Sequence, residues 1–184
     1  MIKKATLITL ILLSVKVCSQ KCKTEKDPFT NEEKTSFVFK NKTVYFEMKN
    51  DSITFDIAFN YWGEREHTFK EGTGFLIKLE NGSKIDLKTI TESKPKIESV
   101  ISSSGFYLGF SSGMTSTRSE NFTTYSFVFL LTESELKMLA ESKIEIIRIP
   151  DTDEEKYVDL EAKGRTRKKI KAIKKGATCM SGNI

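Results

Sequence analysis

The chain has 184 residues and a formal net charge of +5 at pH 7. Its first 19 residues contain three lysines and no acidic residue, so the net charge falls to +2 without them. This near-neutral remainder argues against a general nucleic-acid-binding protein, and its roughly 165 residues are enough for one domain with a sizeable core.

The N-terminus has the three parts of a secretory signal peptide. A lysine pair comes before an apolar run at residues 5–15, and small residues follow just before Gln20. The run is shorter than the roughly 18 residues that span a bilayer and fits the h-region of a signal peptide. We therefore predict a signal peptide at residues 1–19, a single domain at residues 20–184, and a secreted or periplasmic location without a transmembrane segment. The alternative is a lipid anchor on Cys18, although the residues before it only distantly resemble a lipobox.

Two cysteines remain once the leader is removed, Cys22 and Cys179. An even number of cysteines in an oxidising compartment favours one disulfide, which here would close almost the whole domain into a loop. That pairing requires the two termini to lie together, as they do in many compact domains. The cysteines and the single histidine, His67, lack the paired spacing of a zinc site, so we predict neither a metal nor a cofactor.

The first strands are predicted by alternation of apolar and polar side chains. Residues 52–61 alternate as a half-buried strand does, and residues 43–48 do the same before a turn at residues 50–51. Asn81 and Gly82 join two further alternating segments. This pair favours a type I′ turn, because both residues can take positive φ.

The remaining segments have less regular patterns. Residues 105–110 and 124–131 are two more candidate strands, and the second is apolar on both faces, which favours a central position. A further strand is predicted at residues 143–150. Residues 23–35 are polar and predict a surface arm or turn, while residues 111–121 predict a mobile loop between strands.

One short helix is well defined by the sequence. Thr132 as N-cap and Glu135 three residues later form a capping box, and Leu136 and Leu139 give a short apolar stripe. A single helix late in a strand-rich chain does not suit a parallel α/β fold. We predict a mainly β fold, an antiparallel sandwich or barrel-like sheet with one short covering helix and a C-terminal helix, with α+β as the alternative.

The segment at residues 163–175 contains eight basic residues and no acidic one, which leaves a net charge of −6 on the domain body before it. Besides Lys163, the basic residues are Arg165, Arg167, Lys168, Lys169, Lys171, Lys174 and Lys175. Ile170, Ile173 and Ala177 recur at helical spacing, which favours a terminal helix that docks on the acidic body. Cys179 would then fix its end. The alternative is a polyanion-binding element.

Three side chains are candidate ligand contacts. Tyr61 and Trp62 at the end of a predicted strand either stack on a sugar ring or close the core, and the sequence leaves both alternatives open. His67 lies in a charged run that is typical of a solvated loop. No Gly-x-Ser-x-Gly elbow supports a serine hydrolase, and we predict no catalytic residue.

Four features together resemble small exported proteins of unknown function from AT-rich Gram-negative bacteria. They are the leader, Cys22 followed by DPFT at residues 27–30, the segment at residues 131–149, and a basic helix that ends at Cys179. The resemblance implies no activity and transfers no functional residue. The sequence favours an exported, non-catalytic binding or structural module of the cell envelope, whose partner is an envelope polysaccharide or another envelope protein rather than a nucleic acid. The alternatives are a hydrolase acting on an envelope polymer and a polyanion binder that uses the basic tail.

Overall fold

A computed structural model describes residues 22–106, 114–152, 156–164 and 166–182. The predicted leader, with its alternative lipid anchor at Cys18, lies outside the described residues, and so does Arg165 of the basic segment. The strands are β1 (Lys23–Lys26), β2 (Glu33–Phe39), β3 (Val44–Lys49), β4 (Ser52–Trp62), β5 (Gly74–Leu79), β6 (Lys84–Lys88), β7 (Lys96–Phe106), β8 (Met114–Leu131), β9 (Ile144–Pro150) and β10 (Tyr157–Glu161). The helices are α1 (Glu133–Glu141) and α2 (Thr166–Ser181).

The strands form two antiparallel sheets. One has six strands in the order β1-β2-β3-β4-β8-β7, and the other has four in the order β10-β9-β5-β6. The sheets meet where the chain leaves β6, since Thr89 bridges Phe129 and the Ile90 amide donates to the Val128 carbonyl at 2.9 Å. On the opposite side α2 contacts β2 and β3 of the large sheet and β10 of the small one. The result is a curled half-barrel with a helix across its opening, which confirms the predicted mainly β fold.

The core is formed by side chains that alternate along the strands. The five inward residues of β4 are each 8% exposed or less: Ile53, Phe55, Ile57, Phe59 and Tyr61. Aromatic rings continue the core across the sheets, with Phe55 stacked 4.6 Å from Phe46 and Phe127 packed 4.6 Å from Phe75. The predicted half-buried strand is therefore present, and its apolar face is the centre of the core.

Two predicted hairpin turns have different outcomes. Asn50 and Asp51 join β3 to β4 with φ values of 49° and 63°, so this two-residue connection has the positive φ at both positions that a type I′ turn needs. The prediction of a type I′ turn at Asn81 was wrong, because only Gly82 has positive φ, at 86°. The Leu79 amide donates to the Ser83 carbonyl at 2.9 Å, which closes a three-residue loop.

Several strands lie in segments for which no strand is predicted from the sequence. β1 and the start of β2 occupy the polar segment predicted as an arm, and β10 lies in an acidic stretch. The N-terminal part of β8 lies in the segment predicted as a mobile loop, and the candidate strand at residues 105–110 is described only as far as Phe106. These segments are extended because neighbouring strands pair with their backbones, and hydrogen bonding of that kind needs no apolar alternation.

Neither helix in the described ranges is long and apolar enough to cross a membrane.

At the start of α1 the Thr132 hydroxyl accepts a hydrogen bond from the Glu135 amide at 3.2 Å, and the Glu135 carboxylate accepts one from the Thr132 amide at 2.8 Å. This is the predicted capping box. Leu136 and Leu139, the predicted apolar stripe, are completely buried.

The terminal helix α2 docks through small and branched side chains. Ile173 and Ala177 are 0% exposed, Ile170 is 5% exposed, and Gly176 lies against the rings of Phe37 and Phe46. The predicted docked terminal helix is thus present. Its basic residues do not form ion pairs with the acidic body in the described part of the chain, so apolar burial rather than charge pairing holds the helix in place.

Candidate functional site

The face of α2 that points away from the core carries a row of basic side chains. Arg167, Lys171 and Lys175 follow one another at intervals of four residues, and all three are exposed. Residues four apart lie on the same helix face and about 6 Å apart along the axis. Burial of the opposite face therefore fixes the direction in which this row points.

The C-terminal end of α2 is held by the disulfide between Cys22 and Cys179, whose Cα atoms are 5.8 Å apart. The predicted pairing is confirmed. It links the residue before β1 to the last turn of α2, so the edge of the large sheet and the terminal helix share one covalent tie. A disulfide is compatible with an extracellular location.

A groove of about 940 Å³, which we call the basic groove, runs along α2. One wall is α2 itself, with Arg167 and Lys171 among its residues. The other wall comes from three separate segments and includes Glu80 of the β5–β6 loop, Lys143 between α1 and β9, and Ala162 after β10. The volume lies in the range of small-ligand sites in proteins.

The floor of the basic groove is apolar. Phe37, Ile144 and Ile170 line it, and each is at most 5% exposed, so their side chains belong to the core and only their edges face the groove. A ligand in the groove would therefore contact an apolar base as well as charged walls. This combination suits a sugar chain, whose rings have apolar faces and polar edges.

Positive charge in the basic groove greatly exceeds negative charge. Lys143, Arg167, Lys171, Lys174 and Lys175 are the cations that line it, and Glu80 is the one carboxylate among the lining residues. Glu80 is already paired with Lys143 at 3.2 Å, and Lys174 donates to the Glu141 carbonyl at 2.9 Å.

The three cations of the helix row have no such partner. Arg167, Lys171 and Lys175 make no ion pair and no side-chain hydrogen bond with any part of the chain that the structure describes. Because like charges on one helix face repel, this arrangement destabilises the helix slightly. An anion in the groove would remove that repulsion.

Lys169 of the basic segment does not belong to the exposed row of cations. It points toward the large sheet, where its ammonium lies 4.5 Å above the Phe59 ring and donates to the Ala58 carbonyl, in a stretch of β4 that extends beyond β3. Burial lowers the pKa of the Lys169 ammonium to about 8. Its contacts are those of a structural residue that fills the junction between α2 and the sheet.

The low pKa of Lys169 predicts a pH-dependent stability. Between pH 8 and the ordinary lysine value of 10.5, the unfolded chain keeps a proton that the folded protein has released, so the free energy of unfolding rises with pH across this window. We expect this contribution to amount to about 1–3 kcal/mol, because the Ala58 carbonyl and the Phe59 ring offset part of the desolvation.

Urea unfolding at several pH values measures this contribution. The quantity to compare is the free energy of unfolding of the wild type minus that of Lys169→Met. That difference should increase from pH 8 to 10.5. The matched control is Lys168→Met, one residue earlier and exposed, for which the difference should stay constant. A constant difference for Lys169→Met as well would show that Lys169 is not desolvated.

The predicted ligand contacts do not form one site. Tyr61 and Trp62 are consecutive residues of a strand and so point to opposite faces of the sheet. Tyr61 is buried, packs edge-on against Tyr125 at 5.3 Å and donates to the Pro150 carbonyl at 2.8 Å. Burial, together with the charge of Asp151, raises the pKa of the Tyr61 phenol. Trp62 is 64% exposed, with its ring 4.7 Å from that of Phe122.

His67 lies on the core side, apart from Trp62. Its ring is 4.7 Å from the Phe69 ring, and its carbonyl accepts a hydrogen bond from the Tyr125 hydroxyl at 2.7 Å. Its loop is fixed to β8, since the buried Thr123 hydroxyl donates to the Gly63 carbonyl and accepts from the Arg65 amide, both at 2.8 Å. The loop around His67 is thus a fixed cover over the end of the core.

A second cavity, of about 390 Å³, has acidic rather than basic walls. Glu33, Asp51 and Glu133 line it at the start of α1. Within the described ranges, no group of three or more His, Cys, Asp and Glu side chains is arranged to hold a metal ion. We therefore take the basic groove as the candidate site.

The sequence predicts only one wall of this groove. The cations of α2 were predicted from their density, and the apolar spacing predicted which face of the helix is buried. Glu80, Lys143 and Ala162 carry no local signal for a shared site, because they come from three distant segments that meet only through sheet pairing and the packing of α1 against α2.

Comparison with protein-family models, with curated proteins and with solved structures finds no match to this chain.

Proposed function

We propose that this chain is an exported, non-catalytic binding module that holds an acidic polysaccharide of the cell envelope in the basic groove. The observation that carries the proposal is the row of three exposed cations without partners, which lies over an apolar floor. Cations kept apart from the carboxylates of an acidic body are available to an anionic ligand. The disulfide and the predicted leader support export.

The shape of the site favours a polymer over a compact anion. The cations of α2 are spread along the helix at about 6 Å intervals, so they match several charges along a chain better than a single charged group. Flexible lysines give charge attraction without fixed geometry, whereas the apolar floor can accept the faces of sugar rings. The ligand that fits both features is a sugar polymer with repeated acidic groups.

The lining of the groove gives no observation that favours a hydrolase. Glycoside hydrolysis needs two carboxyl groups on either side of the bond that breaks. Glu80 is the one carboxylate among the lining residues, and it is held by Lys143. We therefore propose binding without catalysis at this site.

The proposal predicts that reversing the helix charges weakens binding to polygalacturonate, a polysaccharide with one carboxylate per sugar. We expect Arg167→Glu combined with Lys171→Glu and Lys175→Glu to lower the affinity at least about tenfold, equivalent to about 1.4 kcal/mol. Isothermal calorimetry at low salt gives the affinity, which should fall as salt is added. Neutral dextran should not bind.

The matched control changes the same total charge away from the groove. Lys42, Lys70 and Lys88 are exposed and do not line it, so replacing all three with glutamate alters the net charge equally. We expect this control to keep its affinity within about twofold. Equal losses in both variants would indicate attraction to overall charge alone, and no binding by the wild type would contradict the proposal.

A further inference from the structure

The two sheets expose four edge strands, and three of them have features that prevent pairing with another chain. β1 has four residues, and β6 and β10 have five each. Each of the three also carries at least two charged side chains, such as Lys84 and Asp86 in β6. Short and charged edges are the usual protection against edge-to-edge association.

The fourth edge, β7, lacks this protection. It is eleven residues long, from Lys96 to Phe106, and contains no proline. Its two charged residues are Lys96 and Glu98, which pair with each other at 2.7 Å near the start of the strand. From Ser99 onward its sequence has no charge, and no register shift interrupts its pairing with β8.

β7 also carries an unusual amount of exposed apolar surface. Ile97, Val100 and Ile101 are 49%, 52% and 71% exposed. Alternation places Ile97 and Ile101 on one face of the strand and Val100 on the other. Apolar side chains that face solvent on both sides of an unpaired edge indicate a surface that becomes covered.

The end of β7 belongs to a two-stranded ribbon that extends beyond the sheet. β4 pairs with β8 only as far as the Trp62–Phe122 pair, whereas β7 stays paired with β8 to its far end at Met114. Beyond Phe122 the two strands therefore have only each other, and an isolated two-stranded ribbon has marginal stability in water. Pairing with a further strand would stabilise it.

The two edges of this ribbon are not equivalent. On the β8 side the base is covered, since the Gly63 amide donates to the Asn121 carbonyl at 2.9 Å and the Asn121 amide group donates to the Glu64 carboxylate at 2.6 Å. In the described part of the chain no strand pairs with the outer edge of β7. Open donors and acceptors therefore run along the whole of β7, whereas on β8 they begin only beyond Asn121.

We propose that β7 pairs antiparallel with β7 of a second copy of this chain, forming a two-fold dimer through a continuous sheet. The same edge serves both partners, which is the condition for a closed two-fold interface. The uncharged stretch from Ser99 brings no like charges together, and Lys96 and Glu98 neutralise each other within one copy.

A second copy fits this edge better than a membrane does. The described ribbon residues, 99–106 and 114–121, contain one arginine and one glutamate, so they give no excess of positive charge for the anionic surface of a bilayer. An eleven-residue strand is about 36 Å long. A contact along a single strand edge of this length buries less surface area than a standard protein interface. The dimer should therefore be reversible, with an affinity in the micromolar range.

Sedimentation of the chain from Gln20 onward, over protein concentrations from about 1 to 500 µM, tests the proposal. We expect a reversible monomer–dimer equilibrium that Ile101→Lys weakens at least about tenfold. The matched control is Val38→Lys on β2, which is 45% exposed within the sheet and should leave the dimer unchanged. At the lowest concentration, where little dimer is present, both variants should keep the wild-type thermal midpoint, because both positions face solvent.

Hydrogen exchange gives a second readout that needs no variant. Amides of β7 should become better protected as the concentration rises, while those of β10 should not. The proposal is overturned if the wild type stays monomeric over the whole range, if Ile101→Lys dimerises as strongly as the wild type, or if assembly continues past the dimer. Binding of monomers to vesicles of anionic lipid, without dimer formation, would also overturn it.

Discussion

Reduction of the Cys22–Cys179 disulfide is expected to lower the free energy of unfolding by about 4 kcal/mol. The two cysteines are 157 residues apart in sequence, so the bond restricts almost the whole unfolded chain. In the folded protein it also holds the short strand β1, all four residues of which are exposed, beside the terminal helix. Loss of this constraint should be visible as a lower midpoint in urea unfolding.

The control for this prediction is a variant that cannot form the bond. Cys22→Ser with Cys179→Ser should unfold at the same urea concentration with and without reductant, whereas the wild type should shift to a lower concentration when reductant is added. An unchanged wild-type midpoint would show that the bond adds nothing to stability. That result would contradict a stabilising role for the covalent tie between β1 and α2.

Replacement of Gly176 by valine is expected to destabilise the protein by about 3 kcal/mol. A Cβ atom at this position would lie 2.6 Å from a ring carbon of Phe46 and 2.9 Å from one of Phe37. Both rings are buried, and Phe46 cannot retreat because it is stacked on Phe55 at 4.6 Å. The helix α2 would therefore have to move away from the large sheet, and its other buried side chains would lose their contacts with that sheet.

Thr178→Val is the matched control, since it introduces the same side chain at an exposed position two residues later on α2. It should change the free energy of unfolding by less than about 0.5 kcal/mol. Equal stability of Gly176→Val and the wild type would contradict the close packing of α2 against β2 and β3. The basic groove depends on that packing, because α2 forms one of its walls.

The parts of the fold that the sequence could predict are those with a local physical cause. Alternation along β4, the capping box at Thr132 and the apolar spacing from Ile170 to Ala177 each depend on neighbouring residues alone. The disulfide followed from cysteine number and compartment. β1, β10 and the ribbon part of β8 were not predicted, because hairpin pairing with the neighbouring strands β2, β9 and β7, rather than a strong apolar pattern of their own, makes them extended.

The candidate site shows the same division. The cations of α2 were predicted, but their relation to Glu80 and Lys143 depends on tertiary packing that no local pattern encodes. For Tyr61 and Trp62, strand alternation alone shows that consecutive residues point to opposite faces. Alternation along the strand predicted at residues 52–61 therefore argues against a sugar-binding surface formed by both residues together.

The most direct test of the basic groove as a binding site is an NMR titration of the isotope-labelled wild-type chain with short polygalacturonate oligomers. We expect the largest chemical-shift changes at Lys143, Arg167, Lys171 and Lys175, with no change at Trp62 on the far side of the large sheet. Shifts confined to Trp62 and Phe122, or no shift at any position, would contradict binding in the groove.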